Sequence, residues 1–151
     1  MRICLETRLP CAAEAAIAHL KTPKLLFYVA APLIAFAPHR PAVLPEQWRP
    51  DSYLLKMKLF GIIPLGSQTV AISYPQAGCF TLLDDGHSPL IRRWRHTVTV
   101  IPQQSGCLYR DTVEIDAGIL TFIVGAFSYI LFRHRQKRWR RLVRNGFDYG
   151  R

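Results

Sequence analysis

The sequence predicts an α+β domain in which a curved antiparallel sheet of six to seven strands wraps one long C-terminal helix, with two short helices after strand 1. Three observations support this prediction. An alternating run and two short helical segments open the chain, and further alternating runs separated by turns follow. Residues 117–132 are then uncharged and lead into a basic segment. A curved sheet and one long amphipathic helix bury their apolar faces most simply against each other.

The first part of the chain predicts a strand, two short helices and a second strand. Residues 2–9 alternate apolar and polar side chains up to a proline, which is typical of a short strand. Residues 11–20 are rich in alanine and carry an acidic side chain in the first turn, which indicates a helix. Pro23 suits the first position of a second helical segment over residues 24–29, and residues 33–37 then predict a short strand.

After a proline-spaced loop over residues 38–50, the alternating runs predict an antiparallel meander. Asp84, Asp85 and Gly86 predict a solvated turn between two of its strands, because glycine accepts the positive φ that such turns require. The strands themselves are predicted at residues 52–60, 67–74, 79–83, 90–101 and 107–116.

The composition indicates one domain, residues 1–151, in a reducing compartment. Half of the 151 residues are hydrophobic, which is enough for one core. The net charge of +10 is uneven, because the basic helix end and tail, residues 133–151, contribute +7. No signal-peptide pattern opens the chain, and its four cysteines lack zinc-type spacing. We therefore expect reduced cysteines, neither metal nor cofactor, and a protein that is cytoplasmic or peripheral at the inner membrane face.

The uncharged run over residues 117–132 has two interpretations. Its sixteen residues reach about 24 Å as a helix, short of a hydrocarbon core of about 30 Å, and polar side chains such as Ser128 dilute it. We favour a closing helix whose apolar residues are covered by the protein's own sheet. A membrane-anchored protein that spans at residues 117–132 is the alternative, since the arginines that follow fit the positive-inside rule.

Four segments carry a resemblance to a known family, namely 61–66 (GIIPLG), 90–96 (LIRRWRH), 109–118 (YRDTVEIDAG) and 132–139 (FRHRQKRW). Together with the order of elements, they resemble the START-like superfamily (SRPBCC), which has the helix-grip fold shared with the birch pollen allergen. The resemblance is to its uncharacterised bacterial ligand-binding branch and covers nearly the whole chain. It implies a cavity for an apolar ligand such as a lipid, sterol, polyketide or quinone-like molecule. Some members cyclise or hydrolyse aromatic compounds, but the motifs are structural and carry over no catalytic residue.

His96 and Asp111 predict a polar pair on the hairpin before the long helix. If Val100 faces Cys107 across the turn, then His96 faces Asp111, and both point at the helix. An opposing carboxylate would hold the imidazole in one tautomer and favour its charged form. The pair is then either a buried contact that sets strand register or the acid/base group of a cyclase- or hydrolase-type enzyme, which is the alternative function.

Aromatic and apolar side chains at strand and helix spacing predict either ordinary core or the wall of a cavity between the sheet and the helix. A pocket of this kind is normally apolar with a few placed polar groups, which is the composition found here. The principal functional prediction is therefore binding of a hydrophobic small molecule (lipid-, polyketide- or aromatic-like), without demonstrable enzyme activity. The predicted lining residues are Tyr53, Met57, Tyr74, Trp94, His96, Tyr109, Asp111, Ile123 and Phe127.

The basic helix end has three interpretations: a solvated helix terminus, attachment to anionic lipid head groups, and nucleic-acid binding. Each cation near an anionic membrane contributes about 1 kcal/mol. We favour lipid over nucleic acid, because a cavity for an apolar molecule benefits from delivery at a membrane. An exposed apolar patch on the same helix would equally serve as a homodimer face. The residues predicted for the membrane or anion surface are Arg135, Arg138, Trp139 and Arg141.

Overall fold

The computed structural model describes residues 1–150, and its architecture is the predicted α+β one. Seven antiparallel strands form one curved sheet in the spatial order β1-β7-β6-β5-β4-β3-β2. A single 3-10 turn at Gly118–Leu120 leads into the closing helix. The elements are β1 (Arg2–Leu9), α1 (Ala13–Leu20), α2 (Pro23–Ala30), β2 (Ile34–Arg40), β3 (Asp51–Leu59), β4 (Ile63–Ser73), β5 (Phe80–Gly86), β6 (Arg93–Pro102), β7 (Cys107–Asp116) and α3 (Thr121–Arg144).

The sheet faces α3 with the side chains that the alternating pattern places inward. Along β7 every second residue from Cys107 to Ile115 is buried, while the residues between them are only partly covered. α1 and α2 close one end, and α2 begins as predicted at Pro23, where the Thr22 hydroxyl accepts a hydrogen bond from the Leu25 amide. The core therefore lies between one face of the sheet and the three helices.

α3 is anchored mainly by Phe132, at the end of its apolar run, and by the half that follows. Trp139 and Leu142 are buried in the main core, and Phe132 packs against Val113 and Ile115 of β7. The other face of the apolar run is open to solvent. The expectation that the sheet covers the whole run is therefore wrong for this face, whose exposed residues include Ile119, Phe122, Tyr129 and Ile130.

The spanning alternative finds no support. Residues 117–132 do not form one continuous α-helix, because the 3-10 turn precedes α3. Among residues 1–150, no helix combines the length and the apolar character that crossing a bilayer needs.

β5 continues through the residues that were predicted to form a solvated turn. Asp84 lies opposite His96 of β6, and Gly86 lies opposite Trp94. A Cβ at Gly86 would approach the Thr69 carbonyl oxygen to 2.1 Å, so this glycine permits close approach of β4 rather than a turn. The turn prediction was wrong because a glycine required for close strand approach cannot be distinguished, in the local sequence, from a glycine required for a turn.

Candidate functional site

A cavity of about 310 Å³ lies between the sheet and the first half of α3. Its wall is mainly apolar, with contributions from α2, β2, β3, β4, β5, β6 and α3. Four polar or charged side chains interrupt this wall, namely Gln68, Asp84, His96 and Arg135, and Ser88 and Ser128 add hydroxyl groups. A few polar groups in an apolar concavity are what a small-molecule site requires. The apolar lining includes Leu26, Phe36, Met57, Val70, Trp94, Ile123, Val124, Phe127 and Leu131.

A second, smaller hollow of about 60 Å³ continues toward α1 and Trp139. Asp84, His96 and Arg135 line both spaces, as do Leu26 and Val70. These five residues therefore form a waist, and all the charged or titratable groups of the two linings except Tyr109 lie there. A ligand that filled the outer cavity would meet its polar partners at this waist.

The His96 imidazole contacts a buried carboxylate. Its Nε2 lies 2.8 Å from Asp111 Oδ1, and the Tyr109 hydroxyl donates to the same oxygen at 2.8 Å. The Gln136 amide of α3 donates to Asp111 Oδ2 at 2.9 Å, and also to the Leu5 carbonyl at 3.1 Å. This network ties β1, β6, β7 and α3 together and satisfies the carboxylate with three donors.

The predicted contact forms with a register that differs from the predicted one. β6 and β7 pair up to Pro102 and Cys107, so Val100 faces Tyr109 and His96 faces Val113. The connection is thus two residues shorter than assumed, because β6 extends to Pro102 while β7 begins at Cys107 as predicted. A shift of two residues preserves the face of every side chain. His96 and Asp111 consequently remain on the inner face and meet diagonally instead of directly.

The lowered pKa values of His96 and Asp111 favour a neutral imidazole and an ionised carboxylate. Burial alone would raise the pKa of Asp111, but hydrogen bonding and charge from His96, the Arg135 charge and the Gln136 amide hold it below its ordinary value. Burial lowers the pKa of His96 despite Asp111, and Arg135 acts in the same direction. A neutral His96 then donates from Nε2 to the carboxylate, which leaves Nδ1 as an acceptor. Among residues 1–150, no side chain or backbone group donates to that nitrogen.

Asp84 is the site residue that sequence reasoning missed. Its side chain is buried, and Oδ1 accepts a hydrogen bond from the Ala71 amide at 2.9 Å. Burial raises its pKa to about 7, although the Ala71 hydrogen bond and the Arg135 charge oppose the shift. The predicted turn concealed it. The available signal was the alternation of β5, in which Leu82 and Asp84 share the inward face.

Arg135 lies on the inner side of α3, not on the predicted membrane surface. Its guanidinium carbon is 4.6 Å from the centre of the Phe132 ring, and the side chain lines both hollows. The charge of Arg135 acts on Asp84, His96 and Asp111 together. It therefore belongs to the waist.

The other predicted cavity residues divide into two groups. Met57, Trp94, His96, Ile123 and Phe127 line the 310 Å³ cavity. Four others do not line it, because their contacts are in the surrounding core. Tyr53 packs edge-on to Trp48, Tyr74 donates its hydroxyl to the Trp48 carbonyl, Tyr109 lines the smaller hollow, and Asp111 is covered by its three donors.

The basic helix end also differs from its prediction. Trp139 is only 1% exposed, so it is a core residue and no interfacial anchor. Arg138 is half-buried, donates to the Tyr28 carbonyl at 2.8 Å and stacks over the Tyr28 ring. Arg141 is exposed. The exposed cations of α3 follow one face at spacings of four, four and three, and we call them the basic stripe: Arg133, Lys137, Arg141 and Arg144.

No group of three or more His, Cys, Asp or Glu side chains within residues 1–150 is arranged to hold a metal ion. The four cysteines are free thiols, of which Cys4 is exposed and Cys107 is buried. The candidate site is therefore the cavity and its waist.

Solved structures with the same fold come from bacteria and plants. A Chromobacterium violaceum protein is 15% identical, with a TM-score of 0.69 and coverage of 94% of this chain and 96% of its own. A START superfamily protein from Mycobacterium smegmatis is 14% identical, with a TM-score of 0.63 and coverages of 95% and 97%. A Thalictrum norcoclaurine synthase, solved as a point mutant with a transition state analogue, is 10% identical, with a TM-score of 0.64 and coverages of 98% and 96%.

These identities are low, so the likeness establishes the START-like fold alone. No sequence among the curated proteins matches this chain significantly. Residues 32–144, from the end of α2 to the end of α3, match one sequence family over most of the chain. The protein has the START-like, helix-grip fold and belongs to the family described as Domain of unknown function (DUF8410).

Proposed function

We propose that this protein binds a hydrophobic small molecule, lipid-, polyketide- or aromatic-like, in the cavity between the sheet and α3. The observation that supports the proposal is the 310 Å³ space itself, whose wall is mainly apolar and interrupted by a few polar groups. A folded domain fills its core closely, so an apolar space of this size is costly unless a ligand occupies it.

The mouth of the cavity supports the same proposal. Leu65, Leu90, Leu120 and Ile123 are exposed to solvent and also line the cavity. A continuous apolar path therefore leads from the surface to the waist. Such a path lets a water-insoluble molecule enter without crossing a polar barrier.

The test identifies the bound molecule and then asks whether filling the cavity prevents binding. Protein purified from its own host is analysed by native mass spectrometry, and the co-purifying molecule is extracted. Titration with the uncharged fluorophore N-phenylnaphthylamine then compares two tryptophan variants of α3. Val124→Trp fills the cavity and should abolish binding, whereas Ala126→Trp places the same side chain on the exposed face and should not. Equal binding by both variants, or none by the folded wild type, would refute the proposal.

A second candidate function is acid/base catalysis of the cyclase or hydrolase type. The observation that favours it is His96, which lines the cavity while Asp111 contacts its Nε2 and leaves Nδ1 without a donor. A base oriented by a carboxylate is the arrangement that proton abstraction requires. Turnover of a trapped ligand should then depend on pH and disappear in both His96→Gln and Asp111→Asn. Unchanged turnover in either folded variant would exclude this role.

Delivery of the ligand at an anionic membrane surface completes the proposal. The basic stripe carries four exposed cations on one face of α3, and each would contribute about 1 kcal/mol near anionic lipid. The cytoplasmic membrane face is where such lipids are found.

A further inference from the structure

We propose that the ligand is an amphipathic acid, with an apolar tail in the outer cavity and a monoanionic carboxylate bound to Arg135 at the waist. This inference rests on the proposed function and specifies the chemical class of the molecule. It starts from a feature that a simple apolar pocket does not need, which is a guanidinium group in its wall.

Arg135 has no polar partner within the described chain. Among residues 1–150, its guanidinium makes neither an ion pair nor a hydrogen bond, and it lies over the face of the Phe132 ring. The neighbouring arginines of α3 behave differently. Arg138 donates to the Tyr28 carbonyl, and Arg140 donates to the Thr7 hydroxyl at 2.6 Å. Among the partly buried arginines of α3, Arg135 therefore differs from Arg138 and Arg140 in having no polar partner.

The half-buried guanidinium of Arg135 therefore has five N–H groups that are available to a ligand. Its nitrogens are not removed from water, and a planar oxyanion that replaces this water satisfies the donors best through two parallel hydrogen bonds. The other waist groups do not fill this role. Asp111 is saturated by its own three donors, and the Asp84 oxygen that has a partner is held by the Ala71 amide.

The charge balance at the waist favours a single negative charge on the ligand. Among residues 1–150, Arg135 is the one cation that lines the cavity, and Asp84 lines it as an acid whose pKa is about 7. A dianionic phosphate would bring two negative charges close to Asp84, and Arg135 would balance only one of them. A carboxylate carries a single negative charge, which one guanidinium balances. His96 Nδ1, an acceptor, is available to a hydroxyl on the same ligand. The tail then lies against the apolar wall formed with Met57, Phe127 and Leu131.

The experiment compares two probes with the same tail. Dodecanoic acid and dodecanol are titrated, at neutral pH and below their aggregation limits, against the full chain from which bound lipid has been removed. We expect the acid to bind at least tenfold more tightly, because a charge-assisted hydrogen bond contributes more than a neutral one. Arg135→Gln should bring the ratio of the two affinities close to one while dodecanol still binds. Arg135→Lys keeps the charge and should retain part of the preference.

Arg141→Gln is the matched control, since it removes the same charge from the exposed side of the same helix and should leave the preference intact. Equal binding of both probes to the wild type would overturn the acid assignment but leave the proposed function standing. A full preference for the acid in folded Arg135→Gln would do the same. Binding of neither probe would overturn the proposed function, and the acid assignment with it.

Discussion

Asp84 is a buried acid whose ionisation opposes folding. Its pKa of about 7 in the folded protein exceeds the ordinary value of 3.8, so the folded state binds more protons between those values. The free energy of unfolding therefore falls as pH rises from about 4 to about 7. Relative to Asp84→Asn, which does not titrate, the wild type should lose up to about 4 kcal/mol across this window.

Denaturant titration of both proteins at about pH 4.5 and about pH 8 measures this difference. The charged and polar groups around Asp84, namely Arg135, His96, Asp85 and Asp111, are the same in both proteins, so the comparison isolates the contribution of Asp84. If the stabilities of the two proteins run parallel across the window, Asp84 is not a buried acid of raised pKa.

Asp111 stabilises the fold in its ionised form. Because its pKa is lowered in the folded state, this stability is present above the ordinary value of 3.8 and is lost as pH falls toward the folded pKa. Asp111→Asn replaces an acceptor with an amide that cannot satisfy His96, Tyr109 and Gln136 together. We expect a loss of about 3–5 kcal/mol at neutral pH, measured by denaturant unfolding.

Glu114→Gln is a control on the same strand. Glu114 forms a partly exposed ion pair with Arg93 at 3.7 Å, and such a pair contributes less than about 1 kcal/mol. If both variants lost a similar amount of unfolding free energy, the buried network would contribute no more stability than the exposed ion pair.

At the scale of elements, α3 combines two surfaces with different roles. Its inner side presents Arg135 and Gln136 to the site, while its outer side carries the basic stripe. Composition predicted a basic helix but not this division. The rotation of a helix about its axis is decided by packing, here by burial of Trp139 and Leu142.

The basic stripe should bind anionic lipid. Reversing two of its charges, in Lys137→Glu with Arg141→Glu, should weaken sedimentation with phosphatidylserine-containing vesicles at least tenfold, since each cation contributes about 1 kcal/mol. The effect should shrink at high salt. Arg40→Glu with Arg49→Glu changes the charge equally on exposed residues away from α3. An equal loss of vesicle binding in that control, or no loss in the Lys137/Arg141 variant, would show that the basic stripe is not the lipid-binding surface.

At the scale of the whole molecule, ligand binding and stability are linked. A molecule that binds only the folded state at a hundredfold excess over its Kd raises the free energy of unfolding by about 2.7 kcal/mol. For a domain of this length, this corresponds to an increase in Tm of about 5–10 °C. Thermal unfolding with dodecanoic acid should show this increase in the wild type and in Ala126→Trp but not in Val124→Trp. A shift of the same size in both variants would place binding outside the cavity.

Much of the fold could be predicted from local signals. β1 and β7 begin and end at the predicted residues, because alternation and the flanking prolines and glycine act over a few positions. β5 shows where local signals end. Asp84-Asp85-Gly86 is compatible with a turn and with a strand end, and only the pairing partner across the sheet decides between them.

The amino-acid order alone determines which segments are strands and helices and which face of each strand is apolar, because side-chain periodicity is a property of neighbours along the chain. It also determined that His96 and Asp111 share a face, so their contact survived a register shift of two residues. Tertiary packing decided the rest: the burial of Asp84, the inward side of Arg135 and the burial of Trp139. Each depends on how far one element lies from another and how it is rotated, and such long-range contacts have no period in the sequence.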